Sequence, residues 1–281
     1  MDNGIVAGIV VLYNPNVEET IENIKSYIDE LDVLYCYDNS LEYHEQFDNL
    51  LKCKYIPLYD NKGLAYALTC GCERAIQEGG TILITFDQDT YFEKGCITEM
   101  VKYLKEEQDN MCLVSPNIKR FLRDDSGKRI VQSQAMYETK VKEEDWVITS
   151  GCAFTSKTYI KSGGFDEKLF IAQIDQDYSY AIKRLGGTVI RIGNVFMYQE
   201  LGKTIPRKFL GKTVYPPNHP PIRYYYIFRN ERYLRKKWKG GNYKKWYAPL
   251  YKYLITIILY EDNKIEKLRM IIRGYIEGKT L

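Results

Sequence analysis

The chain opens on an unbroken apolar run. Ile5–Leu12 places β-branched residues on both faces, the pattern of a strand covered on both sides of a sheet. Val17, Ile21, Ile24, Ile28 and Leu31 then recur at helical spacing and predict an amphipathic helix. Val33–Tyr37 and Tyr55–Tyr59 read as second and third strands. Leu64–Gln77 reads as a helix stopped by Gly79-Gly80, and Thr81–Phe86 as a fourth strand. Strands alternating with helices predict an α/β fold.

Beyond Asp89 the alternation loosens. Cys112–Ile118 and Trp146–Phe154 read as strands, and the charged residues 119–145 between them as a surface excursion. Ile174, Tyr178, Ile182 and Leu185 share one face of a helix predicted over Asp175–Leu185, followed by a strand at Thr188–Ile192. A loop containing Pro206, Pro216, Pro217, Pro220 and Pro221 leads into a basic, aromatic tail. The expected division is therefore residues 1–205 and 206–281, with no internal repeat.

The early strands all end in polar, turn-forming residues. These are Asn14-Pro15, Asp38-Asn39-Ser40, Asp60-Asn61-Lys62-Gly63 and Asp87-Gln88-Asp89. Such residues make turns in their own right. In an open parallel sheet, however, ligands bind outside the carboxyl ends of the strands, so Asn14, Asp38, Asn61 and Asp87 are expected to line one crevice.

Two Asp-x-Asp pairs carry the candidate chemistry. Asp87 and Asp89 follow a buried strand, where two carboxylates can share a hard cation such as Mn²⁺ or Mg²⁺ and offset charge on a departing diphosphate. Asp175 and Asp177 open a helix, a position the helix dipole also favours for acids. A carboxylate there can accept the proton of an attacking hydroxyl. Competing motifs fail on spacing. An Asp-x-Asp-x-Thr phosphoenzyme motif would need Thr where Tyr91 stands. A calcium loop from Asp175 would need glycine at Tyr180 and glutamate at Gly186. Neither a Rossmann glycine fingerprint nor a Walker loop occurs, and Tyr13-Asn14-Pro15-Asn16 is not the Gly-rich basic loop of a nucleotidyltransferase.

The assembled pattern resembles the family 2 inverting glycosyltransferases of GT-A fold, within them a bacterial rhamnosyltransferase-like branch. The resemblance covers roughly residues 5–230. It rests on Val10 to Pro15, Asp38-Asn39-Ser40, Asn61 to Ala65, Phe86 to Asp89, Ser150-Gly151, Gly163 to Asp166 with Leu169-Phe170-Ile171, Ile174 to Asp177, and His219 to Asn230. It implies a Rossmann-like nucleotide-binding domain with a mixed central sheet, plus a helical C-terminal region. It also implies roles. Tyr13 and Asn14 would hold the nucleotide, Asp38 would read a uracil or thymine base, and Asn61 and Gly63 would follow the diphosphate. Asp87 would serve ribose or metal, beside Gln88, and Asp89 the metal. Asp175 would be the base, with Ser150, Gly151, Asp177, His219 and Arg223 on the acceptor side. The donor would be a nucleotide-diphosphate sugar, foremost dTDP-L-rhamnose, with UDP-galactose, UDP-galactofuranose and UDP-glucose as alternatives. One departure stands out: where many relatives carry histidine before Leu-Gly, this chain has Gln199. A degenerate, sugar-nucleotide-binding member of the same fold is the non-enzyme alternative, against which the intact Asp87, Asp89 and Asp175 argue.

Charge separates the two regions. From Lys203 onward, 19 Lys and Arg stand against 5 Asp and Glu, a balance of +14, which leaves −11 on residues 1–202. Arg235 to Lys239 and Tyr243 to Tyr247 interleave cations with Trp and Tyr, which suits an anionic membrane surface and a lipid-diphosphate-linked glycan acceptor. No recognisable nucleic-acid module accompanies this charge. A homodimer is compatible with this reading. The seven cysteines form no CxxC pair, and no apolar run approaches the ~20 residues of a membrane span. With no signal peptide visible at an acidic start, the expected location is cytoplasmic, peripheral at the inner face of a bacterial membrane.

Overall fold

A computed structural model describes residues 4–107, 110–123, 129–131, 141–200, 207–209, 212–214, 216–239 and 250–281. The chain divides into two compact units: Met1–Glu167 with Ile174–Glu200, and Lys168–Gln173 with Leu201–Leu281.

The first unit is a mixed sheet flanked by helices. Its strands are β1 (Ile5–Leu12), β2 (Val33–Asp38), β3 (Cys53–Pro57), β4 (Gly80–Asp87), β5 (Thr90–Phe92), β6 (Cys112–Arg123), β7 (Arg129–Val131), β8 (Lys142–Glu143), β9 (Cys152–Thr155) and β10 (Thr188–Glu200). The order is β3-β2-β1-β4-β9-β6-β10-β5, with β7 on β6 and β8 on β10. β3, β2, β1 and β4 run parallel, and β9 is inserted antiparallel between β4 and β6. Parallel strands need helical crossovers, here α1 (Val17–Lys25) and α2 (Leu64–Gln77). Asn16 caps α1 by accepting the Glu19 amide. Further helices are α3 (Cys96–Glu106), α4 (Ser156–Ser162) and α5 (Ile174–Arg184). Under β1 and β4, Tyr27 stacks on Phe86 at 4.0 Å and meets Phe92 edge-on.

The structure corrects several sequence expectations. The first helix stops at Lys25, and Ile28–Glu30 forms a separate 3-10 turn. Only Cys152–Thr155 of the expected strand over Trp146–Phe154 is extended. The strand expected over Thr188–Ile192 continues to Glu200 across an irregularity between Ile192 and Phe196.

The second unit contains a short hairpin, β11 (Arg207–Phe209) and β12 (Lys212–Val214), and helices α6 (Pro221–Lys237), α7 (Leu250–Tyr260) and α8 (Lys264–Glu277). Tyr224, Ile227, Phe228, Ile257 and Ile271 form its core. α6 and α8 approach closely because Gly274 and Gly278 face backbone. A Cβ at either would come within 2.2 Å of the Tyr225 carbonyl or 2.3 Å of the Arg229 carbonyl. A buried ion pair completes the core: Lys267 lies 2.9 Å from Glu261, whose two oxygens also accept the Tyr224 hydroxyl at 2.6 and 2.7 Å. Buried charges persist when paired and hydrogen-bonded in this way.

Candidate active site

Strand register builds the site's edge. Leu12 of β1 pairs with Asp38 of β2, Val11 with Asp87 of β4, and Asp38 in turn with Pro57 of β3. The carboxyl ends of four strands therefore finish level, and the loops after Leu12, Asp38, Pro57 and Asp87 leave from one edge. Those loops carry Tyr13, Asn14, Asn61, Gly63, Gln88 and Asp89.

Gln88 ties the first loop to the last. Its Oε1 accepts the Tyr13 amide at 2.8 Å and its Nε2 donates to the Tyr13 carbonyl at 3.3 Å. The side-chain amide thus extends the β1–β4 pairing one step beyond the strands, leaving the Tyr13 ring 51% exposed beside it. Asn14 takes a left-handed φ of 44° and donates its amide to Ser40 Oγ at 2.7 Å.

Asp38, Asn39 and Ser40 are all buried. Asp38 Oδ1 accepts the Ser40 amide at 2.8 Å, while Oδ2 accepts the Tyr55 hydroxyl at 2.8 Å and lies 2.7 Å from His44 Nδ1. The His44 amide closes the ring by donating to the Tyr55 oxygen at 3.0 Å. Asn39 bridges onward, donating to the Gly63 carbonyl at 3.3 Å and accepting the Lys62 amide at 3.2 Å. Asn61 Oδ1 holds the Gly63 amide at 3.1 Å. The tripeptide that begins at the end of β2 is therefore a cross-link among three loops, and three protein donors address the Asp38 carboxylate. His44 and Tyr55 escape sequence reasoning because neither forms a motif with Asp38. Only the fold brings them together.

The carboxylates of the β4 loop are set by β9 and β10. The Asp87 amide donates to Ser150 Oγ at 3.1 Å, and Ser150 Oγ lies 2.9 Å from Thr90 Oγ1. Gly151 follows with φ 74°, its amide on the Thr85 carbonyl at 2.7 Å. A Cβ there would sit 2.5 Å from Met197 Sδ, so position and conformation both require glycine. β5 pairs Thr90 with Gln199 of β10, which brings Gln199 Nε2 3.4 Å from Asp87 Oδ2. Burial first, then the negative charge of Glu200, pushes the Asp89 carboxyl above the usual range. A carboxylate short of solvent and beside another acid is a site that a hard cation would relieve. Asp89, Asp87 and Glu200 offer oxygen donors of the right kind. Among the described residues no three His, Cys, Asp or Glu side chains are grouped to hold an ion.

Asp175 stands in the first turn of α5, half-buried, while Asp177 one residue beyond its neighbour is 3% exposed. Asp175 Oδ1 accepts the Gln176 amide at 3.0 Å. The buried Cys152 thiol is pushed up by burial first and then by the charge of Asp175, with Arg191 working the other way and Asp87 adding a smaller push. Cys152 pairs with Thr85 of β4, two residues before Asp87. His219 and Arg223 belong to the second unit, where the His219 ring packs 5.8 Å from Tyr224. Burial, then the charge of Arg223, lowers the His219 pKa.

The sequence profile of glycosyl transferase family 2 matches residues 9–163. The chain belongs to that family. This glycosyltransferase is also 25% identical to the dTDP-rhamnosyl transferase RfbF of Shigella flexneri, over 98% of its own length and 96% of the relative's. Its fold matches GalNAc-T7 solved with UDP, GalNAc and Mn²⁺, at TM-score 0.63 and 15% identity, over 87% of this chain and 50% of that one. It likewise matches residues 1–349 of S. aureus TarS in complex with UDP-GlcNAc, at TM-score 0.61 and 14% identity, over 98% of this chain and 81% of that one. The chain thus spans about half the length of GalNAc-T7. The mixed α/β architecture is the GT-A fold.

The loop cross-link has a measurable consequence in this family 2 enzyme. Asp38→Ala leaves the Ser40 amide, Tyr55 hydroxyl and His44 ring without their shared acceptor, which should lower stability by about 1–3 kcal/mol. Thermal unfolding checks it. Unchanged unfolding with weakened nucleotide binding would instead make Asp38 a ligand contact.

Proposed function

We propose that the protein is an inverting rhamnosyltransferase that takes L-rhamnose from dTDP-L-rhamnose to a glycan acceptor of a bacterial surface polysaccharide. The observation that carries the reading is the level edge of β1, β2, β3 and β4, where Asp87 ends β4, Asp89 follows it, and Gln88 ties their loop to Tyr13. The near full-length similarity to RfbF supports the donor. UDP-sugars are the second reading, favoured by neighbours solved with UDP or UDP-GlcNAc.

In this reading the loops of Tyr13, Asn14, Asn61, Gly63 and Gln88 hold the nucleotide and diphosphate. Asp89 and Asp87 face the diphosphate and would hold Mn²⁺ or Mg²⁺, with phosphate and water oxygens completing the ligand set that Gln199 does not. A bound divalent cation would supply positive charge to the leaving diphosphate. Asp175 accepts the proton of the acceptor hydroxyl as its oxygen attacks the anomeric carbon. The bond from that carbon to the diphosphate breaks on the opposite face, and configuration inverts. Asp177, buried in the same first turn, orients the helix start. Ser150 and Gly151 hold the Asp87 end of β4 in place on the acceptor side.

The acceptor is a lipid-diphosphate-linked glycan met at the inner face of the membrane. No helix among the described residues is long and apolar enough to cross a membrane. α7 nevertheless exposes Tyr251, Ile255, Ile258 and Leu259 at helical spacing, and α8 exposes Ile265, Ile272 and Ile276. Lys252, Arg269 and Arg273 are exposed among them. Arg235–Lys239 adds cations, while Tyr243–Tyr247 lies outside the described residues. Exposed apolar side chains with cations among them suit an anionic lipid surface, with Asp262 and Glu266 the exposed acids of the same stretch.

Three measurements test this reading. Asp175→Asn should cut turnover by about 10²- to 10⁴-fold while donor binding persists, and retained turnover would remove Asp175 as base. In a thermal-shift panel of nucleotide sugars with Mn²⁺, dTDP-rhamnose should stabilise most, about 2.7 kcal/mol at 100 times its Kd. Asp89→Ala should abolish the Mn²⁺-dependent part, and a UDP-sugar outscoring dTDP-rhamnose would replace the donor. Anionic liposomes should co-sediment the protein at low salt, and the pair Ile255→Glu and Ile258→Glu should release it. Absence of wild-type binding would reject the membrane face.

A further inference from the structure

Three consecutive side chains of α6 converge on one loop within the second unit. Asn230 is fully buried and donates its single amide group to three carbonyls, those of Leu169 at 2.8 Å, Ile171 at 2.9 Å and Ala172 at 3.0 Å. Arg229 sets the orientation of that amide. Its Nε and Nη2 both donate to Asn230 Oδ1, at 3.0 and 2.8 Å. A guanidinium can only donate, so the oxygen must face Arg229 and the nitrogen must face the loop. Arg229 Nη2 also donates to the carbonyls of Lys168 and Leu169. Glu231, 1% exposed, accepts Gln173 Nε2 at 3.1 Å and Arg235 Nε at 2.6 Å.

The loop so held is unusual in itself. Phe170, Ala172 and Gln173 all take left-handed backbone conformations, with φ of 58°, 71° and 61°, and none is glycine. Such residues persist only where surrounding contacts over-determine them. Five of the six residues Lys168–Gln173 have a backbone carbonyl or side chain held by Arg229, Asn230 or Glu231. The sixth, Phe170, stacks on Tyr226 at 4.7 Å, one helical turn before Asn230. Gln173 is followed directly by Ile174 and Asp175.

We propose that Arg229, Asn230 and Glu231 form a lock that imposes this loop conformation, and that Asn230 is a positioning residue for Asp175. The proposal rests on the assignment of Asp175 as base. A single residue, Ile174, separates the locked segment from Asp175. The left-handed residues Ala172 and Gln173 are the last two before α5 begins at Ile174. Misplacement of a reacting group by an ångström costs rate without costing ground-state affinity for the donor.

Asn230→Asp is the test, because it keeps the shape while setting an oxygen against three carbonyl oxygens. Expected are faster amide hydrogen exchange across 168–173, kcat reduced at least about tenfold, and KM for the nucleotide sugar and dTDP binding within about twofold of wild type. Unchanged exchange, or unchanged kcat with faster exchange, overturns the proposal. Should Asn230→Asp not fold, Gln173→Ala, which cuts only the Glu231 arm, decides by the same split between kcat and KM. Asp175→Asn run in parallel separates the two ideas: retained turnover there removes the base, while the exchange result still reports on the lock.

Discussion

The site depends on one register. Because β1 pairs in parallel with both β2 and β4, and because Leu12 meets Asp38 while Val11 meets Asp87, the strands stop together. A slip of one residue would turn every side chain of β1 to the other face and stagger the loops. Seven of the eight β1 residues are buried, so both faces of the strand are packed. Everything that touches the donor in the proposed reading leaves from the edge this creates.

On that edge, polar side chains are spent on one another before any ligand arrives. Gln88 continues the ladder between two loops, Asn39 and Ser40 join three, and Asp38 gathers donors from Ser40, Tyr55 and His44. Buried polar groups of this sort are costly unless fully satisfied, and a satisfied network holds a single geometry. The crevice is pre-arranged by residues that look, in the sequence, like ligands. Around Asp87 and Asp89 the balance differs. There burial and the charge of Glu200 work against the ionised carboxyl of Asp89, with a backbone amide and the Thr90 hydroxyl offsetting part of it, and perturbed acids of this kind cluster at functional sites.

Much of this was legible in the sequence where local pattern decides structure. β1, α2 and β4 follow from apolar runs and glycine stops, and the polar residues after them mark the edge. The trouble began where tertiary contacts decide. Trp146–Phe154 reads as a strand by composition, yet the turn at Ser150-Gly151 is fixed by Thr85, Asp87 and Met197, which lie far off in the chain. β10 outran its apolar core because β6 and β5 pair with its polar end. His44 and Tyr55 were invisible because their meaning comes from Asp38 across a loop. The segment Lys168–Gln173 carries no local pattern that announces its shape. Only the structure shows that it is held by Asn230, about 60 positions later.

Cys152 has a further consequence. A thiol reacts through its thiolate, and at this position burial above all opposes ionisation, with the charge of Asp175 adding to it and Arg191 working against it. Cys36, Cys72 and Cys96 are likewise pushed up by burial. All seven cysteines are free, and five of them are buried. The folded protein therefore hides chemical labels that its unfolded chain would display. Alkylation would be a clock for opening: half-buried Cys70 would be marked before the protected set, and Cys152 would keep time for the heart of the crevice.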